Sequence, residues 1–158
     1  MIARAILLLT LVSPAGAFAQ SAQVCPWLSA GTAAKILGAE VSATAHSDSN
    51  WSGACRFAVV ADPARTIEIE VGAKEIDRCG SNSTSTPLAA IGNQATLCSY
   101  RDGNGRQVEI VTGRVRNAWF AVTLAAKPEY KTNPQWSNAP PSSSAIEFLG
   151  EQVSGNLY

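Results

Sequence analysis

The chain has few charged residues, and neither sign dominates. Lysine and arginine contribute 12 of its 158 residues, aspartate and glutamate contribute another 12, and neither sign forms a run. A chain without a strong electrostatic field does not attract a polyanion or an anionic membrane surface. We therefore expect no nucleic-acid partner and no binding to a charged membrane surface.

Residues that commonly perform catalysis or hold metals are also scarce. His46 is the only histidine, and the chain has no G-x-S-x-G or H-E-x-x-H sequence and no glycine-rich phosphate-binding loop. No two cysteines form the close C-x-x-C pair that is typical of zinc sites. We therefore expect no metal, no cofactor and no catalytic residues, so the protein is predicted not to be an enzyme.

No apolar run is long enough to cross a membrane, but residues 1–19 have the order of a secretory signal peptide. Arg4 precedes an apolar run at residues 5–12, which is far shorter than the roughly 18 residues of a spanning helix. Small residues suited to cleavage end the segment at Ala19. We predict that the signal is removed and that residues 20–158 form a single periplasmic or secreted domain without a membrane anchor.

The exported part contains four widely spaced cysteines, Cys25, Cys55, Cys79 and Cys98. An even number of cysteines in an oxidising compartment favours two disulfides with a structural role. Three connectivities are possible. The pairing Cys25–Cys55 with Cys79–Cys98 is favoured, because each bond then closes one consecutive segment of the chain.

The residue pattern predicts a helix near the start of the mature chain and another at its end. Residues 26–38 contain Ser29 as a suitable N-cap, several helix-forming residues and Gly38 as a stop. Residues 142–155 follow a proline-rich segment and repeat apolar residues at helical spacing. The chain is therefore expected to end on a helix that docks on the rest of the domain.

The segments between these helices are predicted to be mainly strands. In residues 65–73, Ile67, Ile69 and Val71 alternate with polar residues, which is the period of a strand with one buried face. Asp102-Gly103-Asn104-Gly105 is a strong hairpin signal between two further strands. The other predicted strands are residues 40–47, 54–61, 95–101, 106–113 and 117–126.

The order of helix, about three strands, loop, three strands and helix predicts a two-layer α+β domain. Its sheet of about six strands is expected to be mainly antiparallel, because hairpins connect the strands. The polar residues 74–86 are predicted to form the main internal loop. A β-sandwich is the alternative if the two helices are shorter than predicted.

Large aromatic side chains in polar segments are the best candidates for a binding surface. Trp51 is predicted in a polar turn, and Tyr130 and Trp136 lie in the proline-rich segment. Arg114 and Arg116 are predicted on a neighbouring hairpin. Exposed amphipathic rings and arginines are typical of binding surfaces. The alternative is that the rings cap the ends of the core.

Two glutamates and the histidine define an enzymatic alternative. Glu68 and Glu70 lie on one face of the predicted strand, about 7 Å apart, as in some glycosidase pairs. His46 precedes a polar turn with Asp48 nearby, in a position where it could act as a general base. The solvated side of a sheet and an exposed loop would also place these residues there, so a small secreted hydrolase is kept as an alternative.

Several features of the mature chain occur together in a known group of exported proteins. Cys25 and Leu28 precede residues 33–38 (AAKILG), and residues 55–57 (CRF) and 91–95 (IGNQA) follow before the closing helix. In these features the chain resembles uncharacterised bacterial envelope proteins related to the extracellular sensor domain of a mycobacterial serine/threonine kinase, and small lipoproteins of similar outline. The chain lacks the anchoring cysteine of those lipoproteins. The resemblance implies an extracytoplasmic, disulfide-stabilised sheet domain without established catalysis, and it transfers no site residues.

These observations predict a non-catalytic exported binding or sensory module of the bacterial envelope. Its partner is expected to be an unknown small ligand or an envelope protein. The alternatives are the small secreted hydrolase and a secreted protein-interaction or inhibitor domain that presents Trp51 or Trp136 to a partner. A cleft that brings His46 together with an acid and a nucleophile would favour the enzyme, whereas a pocket without such a cluster would favour ligand binding.

Overall fold

The computed structural model describes residues 24–81, 83–127 and 145–158. The predicted signal peptide and two candidate binding residues, Tyr130 and Trp136, lie outside the described residues. The described residues form two helices and seven strands. The helices are α1 (Ala30–Leu37) and α2 (Ala145–Gly155), and the strands are β1 (Val41–Ser49), β2 (Ser52–Val59), β3 (Asp62–Gly72), β4 (Thr84–Leu88), β5 (Gln94–Arg101), β6 (Gln107–Val115) and β7 (Ala118–Ala126).

All of these strands belong to one antiparallel sheet in the order β1-β2-β3-β7-β6-β5-β4. Two meanders, β1 to β3 and β4 to β7, meet where β3 pairs with β7. The predicted α+β class and antiparallel sheet are therefore confirmed. The β-sandwich alternative is wrong for the described residues, because their strands form a single sheet.

The prediction of about six strands is wrong by one, and the additional strand is β4. It spans Thr84–Leu88 and so overlaps the end of residues 74–86, where a polar loop is predicted. Among the described strands it pairs with β5 alone, at the edge of the sheet. Four of its five residues are exposed, so neither face carries the apolar alternation that reveals a strand. Pro87 is compatible with β4 because an edge strand leaves one row of backbone groups unpaired.

Helix α1 has the caps that the sequence predicts, but it is shorter than residues 26–38. Ser29 has extended φ and ψ angles of −77° and 147°, and its side chain accepts a hydrogen bond from the Thr32 N–H at 3.0 Å. The helix therefore begins at Ala30. Gly38 ends it with a left-handed φ of 65°, which glycine adopts without a steric penalty.

The hydrophobic core lies between the two helices and one face of the sheet. Along the central strand pair, Ile69 of β3 lies opposite Val122 of β7, and Val71 lies opposite Phe120. All four are buried in one cluster with apolar residues of both α1 and α2. Both helices therefore pack on the same side of the sheet, which we call the helix face.

Two disulfides connect segments that are distant in the chain. Cys25 bonds to Cys55 of β2 with a Cα–Cα distance of 5.8 Å, and Cys79 bonds to Cys98 of β5 with a Cα–Cα distance of 5.7 Å. This is the pairing favoured from the sequence. The first bond attaches the segment before α1 to the core, and the second attaches the segment after β3 to the other half of the sheet.

The hairpin predicted at residues 102–105 joins β5 to β6, and its acidic residue closes the turn. The Asp102 carboxylate accepts hydrogen bonds from the Asn104 N–H, the Arg106 N–H and the Arg106 Nε–H at 2.9, 2.9 and 2.7 Å. Burial alone would raise the pKa of Asp102, but the hydrogen bonds from Arg106 and Asn104 outweigh it, so that pKa lies below its ordinary value. The Asp102 carboxylate therefore stabilises the turn by accepting hydrogen bonds from its own residues.

Gly113 of β6 leaves room for a core ring, so a larger residue there should destabilise the fold. A Cβ at this position would lie 2.7 Å from two ring carbons of Phe120 and 2.8 Å from the carbonyl oxygen of Gln94. We expect Gly113→Ala to lower the free energy of unfolding by about 1–3 kcal/mol, measured by urea denaturation. Gly103→Ala is the matched control, because a Cβ there meets no atom within 4 Å. Equal losses in both variants would contradict the steric argument.

Candidate functional site

The side of the sheet opposite the helices carries a row of paired side chains across its central strands, most of them polar or small. Arg56 of β2 lies opposite Glu68 of β3, which lies opposite Thr123 of β7. The row continues to Ile110 of β6 and Cys98 of β5. Because residues in register on antiparallel strands share a face, these side chains lie on one surface, which we call the groove face.

The segment that follows β3 returns across the groove face. Arg78 forms an ion pair with Glu70 of β3. The Asp77 carboxylate accepts a hydrogen bond from the backbone N–H of Cys79 at 2.9 Å. The disulfide from Cys79 to Cys98 then attaches the segment to β5. The segment is therefore held beside the sheet as a side wall.

An open groove with a volume of about 840 Å³ lies between this wall and the groove face. Its floor includes the apolar side chains of Ile110 and Ala121. Pockets for small ligands have volumes of roughly 300–1,000 Å³, so the space is sufficient for one. The charged and aromatic residues that line it are His46, Arg56, Glu68, Glu70, Asp77, Arg78 and Tyr100.

Positive and negative side chains alternate in the groove as two ion pairs. Arg56 Nη1 lies 3.5 Å from Glu68 Oε1, and Arg78 Nη2 contacts Glu70 Oε2. The hydrogen bond to Glu70, together with the charge of that carboxylate, raises the pKa of Arg78. All four side chains are about half-exposed. Solvent-exposed pairs of this kind contribute about 0–1 kcal/mol each, so a ligand can replace one at little cost.

The residues of the enzymatic alternative reach the groove without forming a catalytic cluster. His46 Nε2 lies 3.6 Å from Asp48 Oδ1, and the two side chains are 82% and 71% exposed. Within the described part of the chain the imidazole makes no hydrogen bond to a hydroxyl or a thiol. Glu68 and Glu70 share the groove face, as predicted, but each is engaged by an arginine. No group of three or more metal-ligating side chains occurs among the described residues.

A second, smaller pocket brings together two of the predicted binding residues. Trp51 and Arg116 line a space of about 360 Å³ with Ala73, Asn117 and Ala118. Trp51 lies in the turn between β1 and β2, and Arg116 lies in the turn between β6 and β7. We call this space the tip pocket because both side chains come from hairpin tips. The described residues that line it are all different from those that line the groove.

Arg114, the third predicted binding residue in the described chain, lies next to the tip pocket and contacts Arg116. Its Nε–H donates to the carbonyl oxygen of Arg116 at 2.8 Å, and its guanidinium lies 5.6 Å from the centre of the Trp119 ring. The guanidinium of Arg116 lies 5.5 Å from the centre of the Tyr158 ring. The arginines and the exposed tryptophan predicted from the sequence are thus brought close together, with Tyr158 as an additional member.

Sequence reasoning missed Arg78, Tyr100 and Tyr158 as site residues. Arg78 and Tyr100 reach the groove from the wall segment and from β5, and Tyr158 reaches Arg116 from beyond α2. The only available signal was the position of Arg78 next to Cys79, since a disulfide fixes its neighbours against another strand. Nothing in the local pattern indicates the positions of the two tyrosines.

Comparisons of the chain with profiles of known protein families, with curated proteins and with solved structures find no match. In the described residues, no helix combines the length and the apolar character that crossing a membrane requires. The function therefore has to be inferred from the groove, the tip pocket and the disulfides.

Proposed function

We propose that the protein is a non-catalytic exported binding module of the bacterial envelope, and that the groove binds a small ligand carrying both a positive and a negative charge. One observation carries this proposal: two arginine–glutamate pairs lie side by side over an apolar floor, in a groove of about 840 Å³. An amino acid or a short peptide has this charge distribution.

The ion pairs of the groove suit a zwitterion because both can open at little cost. A carboxylate can replace Glu70 next to the guanidinium of Arg78, and an ammonium group can then lie against the released Glu70. Hydrogen bonds between ionised groups are stronger than those between neutral groups, and arginine can bind a carboxylate through two parallel N–H groups. A ligand that lacks either charge leaves one charged side chain of the groove without a partner. The affinity of the groove for such a ligand is therefore lower.

The disulfides support export from the cytosol. Both bonds connect segments that are distant in the chain, and the chain contains no free cysteine. Structural disulfides are typical of proteins that fold in an oxidising compartment. The signal-like order of residues 1–19 supports removal of the signal and a single mature domain at residues 20–158. The resemblance of residues 33–38, 55–57 and 91–95 to exported sensor domains supports the bacterial envelope as that compartment.

The dipeptide L-alanyl-L-alanine and two blocked derivatives test the groove by NMR titration of the ¹⁵N-labelled mature protein. N-acetylation removes the ammonium charge, and C-terminal amidation removes the carboxylate. We expect the zwitterion to bind at least about tenfold more tightly than either derivative, because a hydrogen bond to a charged group contributes about 1.5–3 kcal/mol net and about 1.4 kcal/mol corresponds to a factor of ten in affinity.

Two substitutions assign each charge preference to one side chain. Arg78→Gln should remove the discrimination against the amidated dipeptide, and Glu70→Gln should remove the discrimination against the acetylated one. Glu151→Gln, an exposed residue of α2 on the helix side, is the matched control and should change neither preference. Equal binding of the three probes, or preferences that survive both groove substitutions, would reject the proposal. Cleavage of the dipeptide during the titration would support the hydrolase alternative instead.

A further inference from the structure

The turn that carries Trp51 is anchored to a buried residue of the core. This turn joins β1 to β2, and its Asn50 carbonyl accepts a hydrogen bond from Trp27 Nε1 at 2.8 Å. Trp27 is fully buried in the core. The Trp51 N–H donates to Ser49 Oγ at 3.1 Å, and yet the residue is 46% exposed. The backbone is thus fixed while the large ring stays accessible.

Arg116 is held in the tip pocket in a conformation that glycine would adopt more easily. It is the first of two turn residues between the paired Val115 and Ala118, and its φ is 54°. Glycine is preferred where a tight hairpin turn needs a positive φ, because a Cβ crowds the backbone there. The Asn93 side-chain oxygen accepts the Arg116 N–H at 2.7 Å and stabilises the turn. An arginine at a turn position that glycine would occupy with less strain points to a role for its side chain.

Among the described residues, the tip pocket carries a positive charge without a carboxylate beside it. Of the described residues that line it, Arg116 alone is charged. Neither Arg114 nor Arg116 forms an ion pair with a carboxylate within residues 24–81, 83–127 and 145–158. Each guanidinium lies over an aromatic ring, Trp119 or Tyr158, which orients its plane and leaves N–H groups at its edge for an acceptor.

We propose that the tip pocket is the docking site for an acidic segment of a protein partner, separate from the ligand groove. Tryptophan, tyrosine and arginine are the residues that most often dominate the binding energy of protein interfaces, typically around a central pocket. Trp51 supplies an apolar surface for a partner side chain, and Arg116 binds an adjacent carboxylate. Tyr158, which is 64% exposed, extends the surface beyond the pocket itself. The volume of about 360 Å³ lies near the lower end of the roughly 300–1,000 Å³ that small-ligand pockets occupy, and it leaves room for one large side chain of a partner.

Two fluorescein-labelled pentapeptides test this site by fluorescence anisotropy with the full mature protein. The first has the sequence Gly-Glu-Phe-Glu-Gly, and the second has glutamine in place of both glutamates. We expect the acidic peptide to bind about tenfold more tightly, because an arginine–carboxylate hydrogen bond is lost in the neutral one. Trp51→Ala should lower the affinity for both peptides, since it removes the contact with phenylalanine that the two peptides share. Arg116→Gly should reduce the affinity for the acidic peptide to that for the neutral one.

Arg116→Gly also separates a binding role from a structural role. Glycine relieves the positive φ, so the melting temperature of this variant should equal or exceed that of the wild type. Arg101→Gln, at the opposite end of β5, changes the net charge equally and should leave peptide affinity unchanged. Equal affinity for the two peptides, or acidic-peptide binding that survives Arg116→Gly, would overturn the proposal. Binding of glucuronate with the same dependence on Arg116, without binding of the peptide, would also overturn it in favour of a sugar site. Arg78→Gln in the groove should leave peptide binding unchanged. The proposals for the groove and for the tip pocket can therefore be rejected independently of each other.

Discussion

Replacing both Cys25 and Cys55 by alanine is expected to lower the free energy of unfolding by about 3.5 kcal/mol, the value that the chain-entropy model gives for two cysteines with a sequence separation of 30. The bond restricts the unfolded chain, and in the folded state it attaches the segment before α1 to β2. Both cysteines are buried in the main core cluster. Urea denaturation followed by circular dichroism measures the loss, and an unchanged unfolding midpoint would contradict it.

The second disulfide provides the comparison for the first. Cys79 and Cys98 are 19 residues apart, so the double alanine variant is expected to lose about 3 kcal/mol, slightly less than the first pair. This bond also holds the wall of the groove against β5. Dipeptide binding should therefore weaken in the Cys79→Ala, Cys98→Ala variant and persist in the Cys25→Ala, Cys55→Ala variant at temperatures where both are folded. The opposite result would show that the wall is not part of the ligand site.

Trp27→Ala is expected to lower the free energy of unfolding by about 3–5 kcal/mol, as for other fully buried large aromatic residues. Trp27 is completely buried, its indole N–H donates to the Asn50 carbonyl, and its own carbonyl accepts a hydrogen bond from Asn156 Nδ2 at 2.9 Å. The ring thus packs where the segment before α1, the β1–β2 turn and the end of α2 meet. A loss below about 1 kcal/mol in urea denaturation would show that the site repacks around the missing ring.

Trp27→Phe separates the hydrogen bond of this residue from its packing. Most of the apolar contact remains, so the loss should be about 1–2 kcal/mol, since a typical hydrogen bond contributes about 1 kcal/mol and the smaller ring leaves a small cavity. The turn that carries Trp51 should become more mobile without its bond to the indole. We therefore expect weaker binding of the acidic peptide in this variant, and unchanged binding of the dipeptide in the groove.

Much of the fold could be predicted from local patterns. The alternation at Ile67, Ile69 and Val71 correctly places the buried face of β3. Ser29 and Gly38 cap α1 as predicted, because each cap depends on backbone geometry within a few residues. The disulfide pairing also follows local reasoning, since each bond closes one consecutive segment. The strand β4 was missed because an exposed edge strand buries no face and therefore leaves no apolar period.

The candidate site was predictable only in part. Trp51, Arg114 and Arg116 were recognisable because large or charged side chains in or next to turns are rarely needed for a core. The sequence did not predict that they meet at one pocket. Residues 51 and 116 are brought together only by the pairing of β3 with β7 and by the order of the strands around that pair. The groove depends in the same way on Arg78, whose ion pair with Glu70 requires the wall segment to fold back on β3.

Residues close together in the chain determine the helix caps, the hairpin turns and the alternation of β3, because sterics and backbone hydrogen bonding act directly over such short distances. The sequence also shows, without any structure, an even number of cysteines that all follow a signal-like start. Strand order, register, and the side of the sheet on which each charge lies depend on contacts between distant segments. Those contacts are selected by how well whole faces pack, so the groove and the tip pocket exist only once the sheet is assembled.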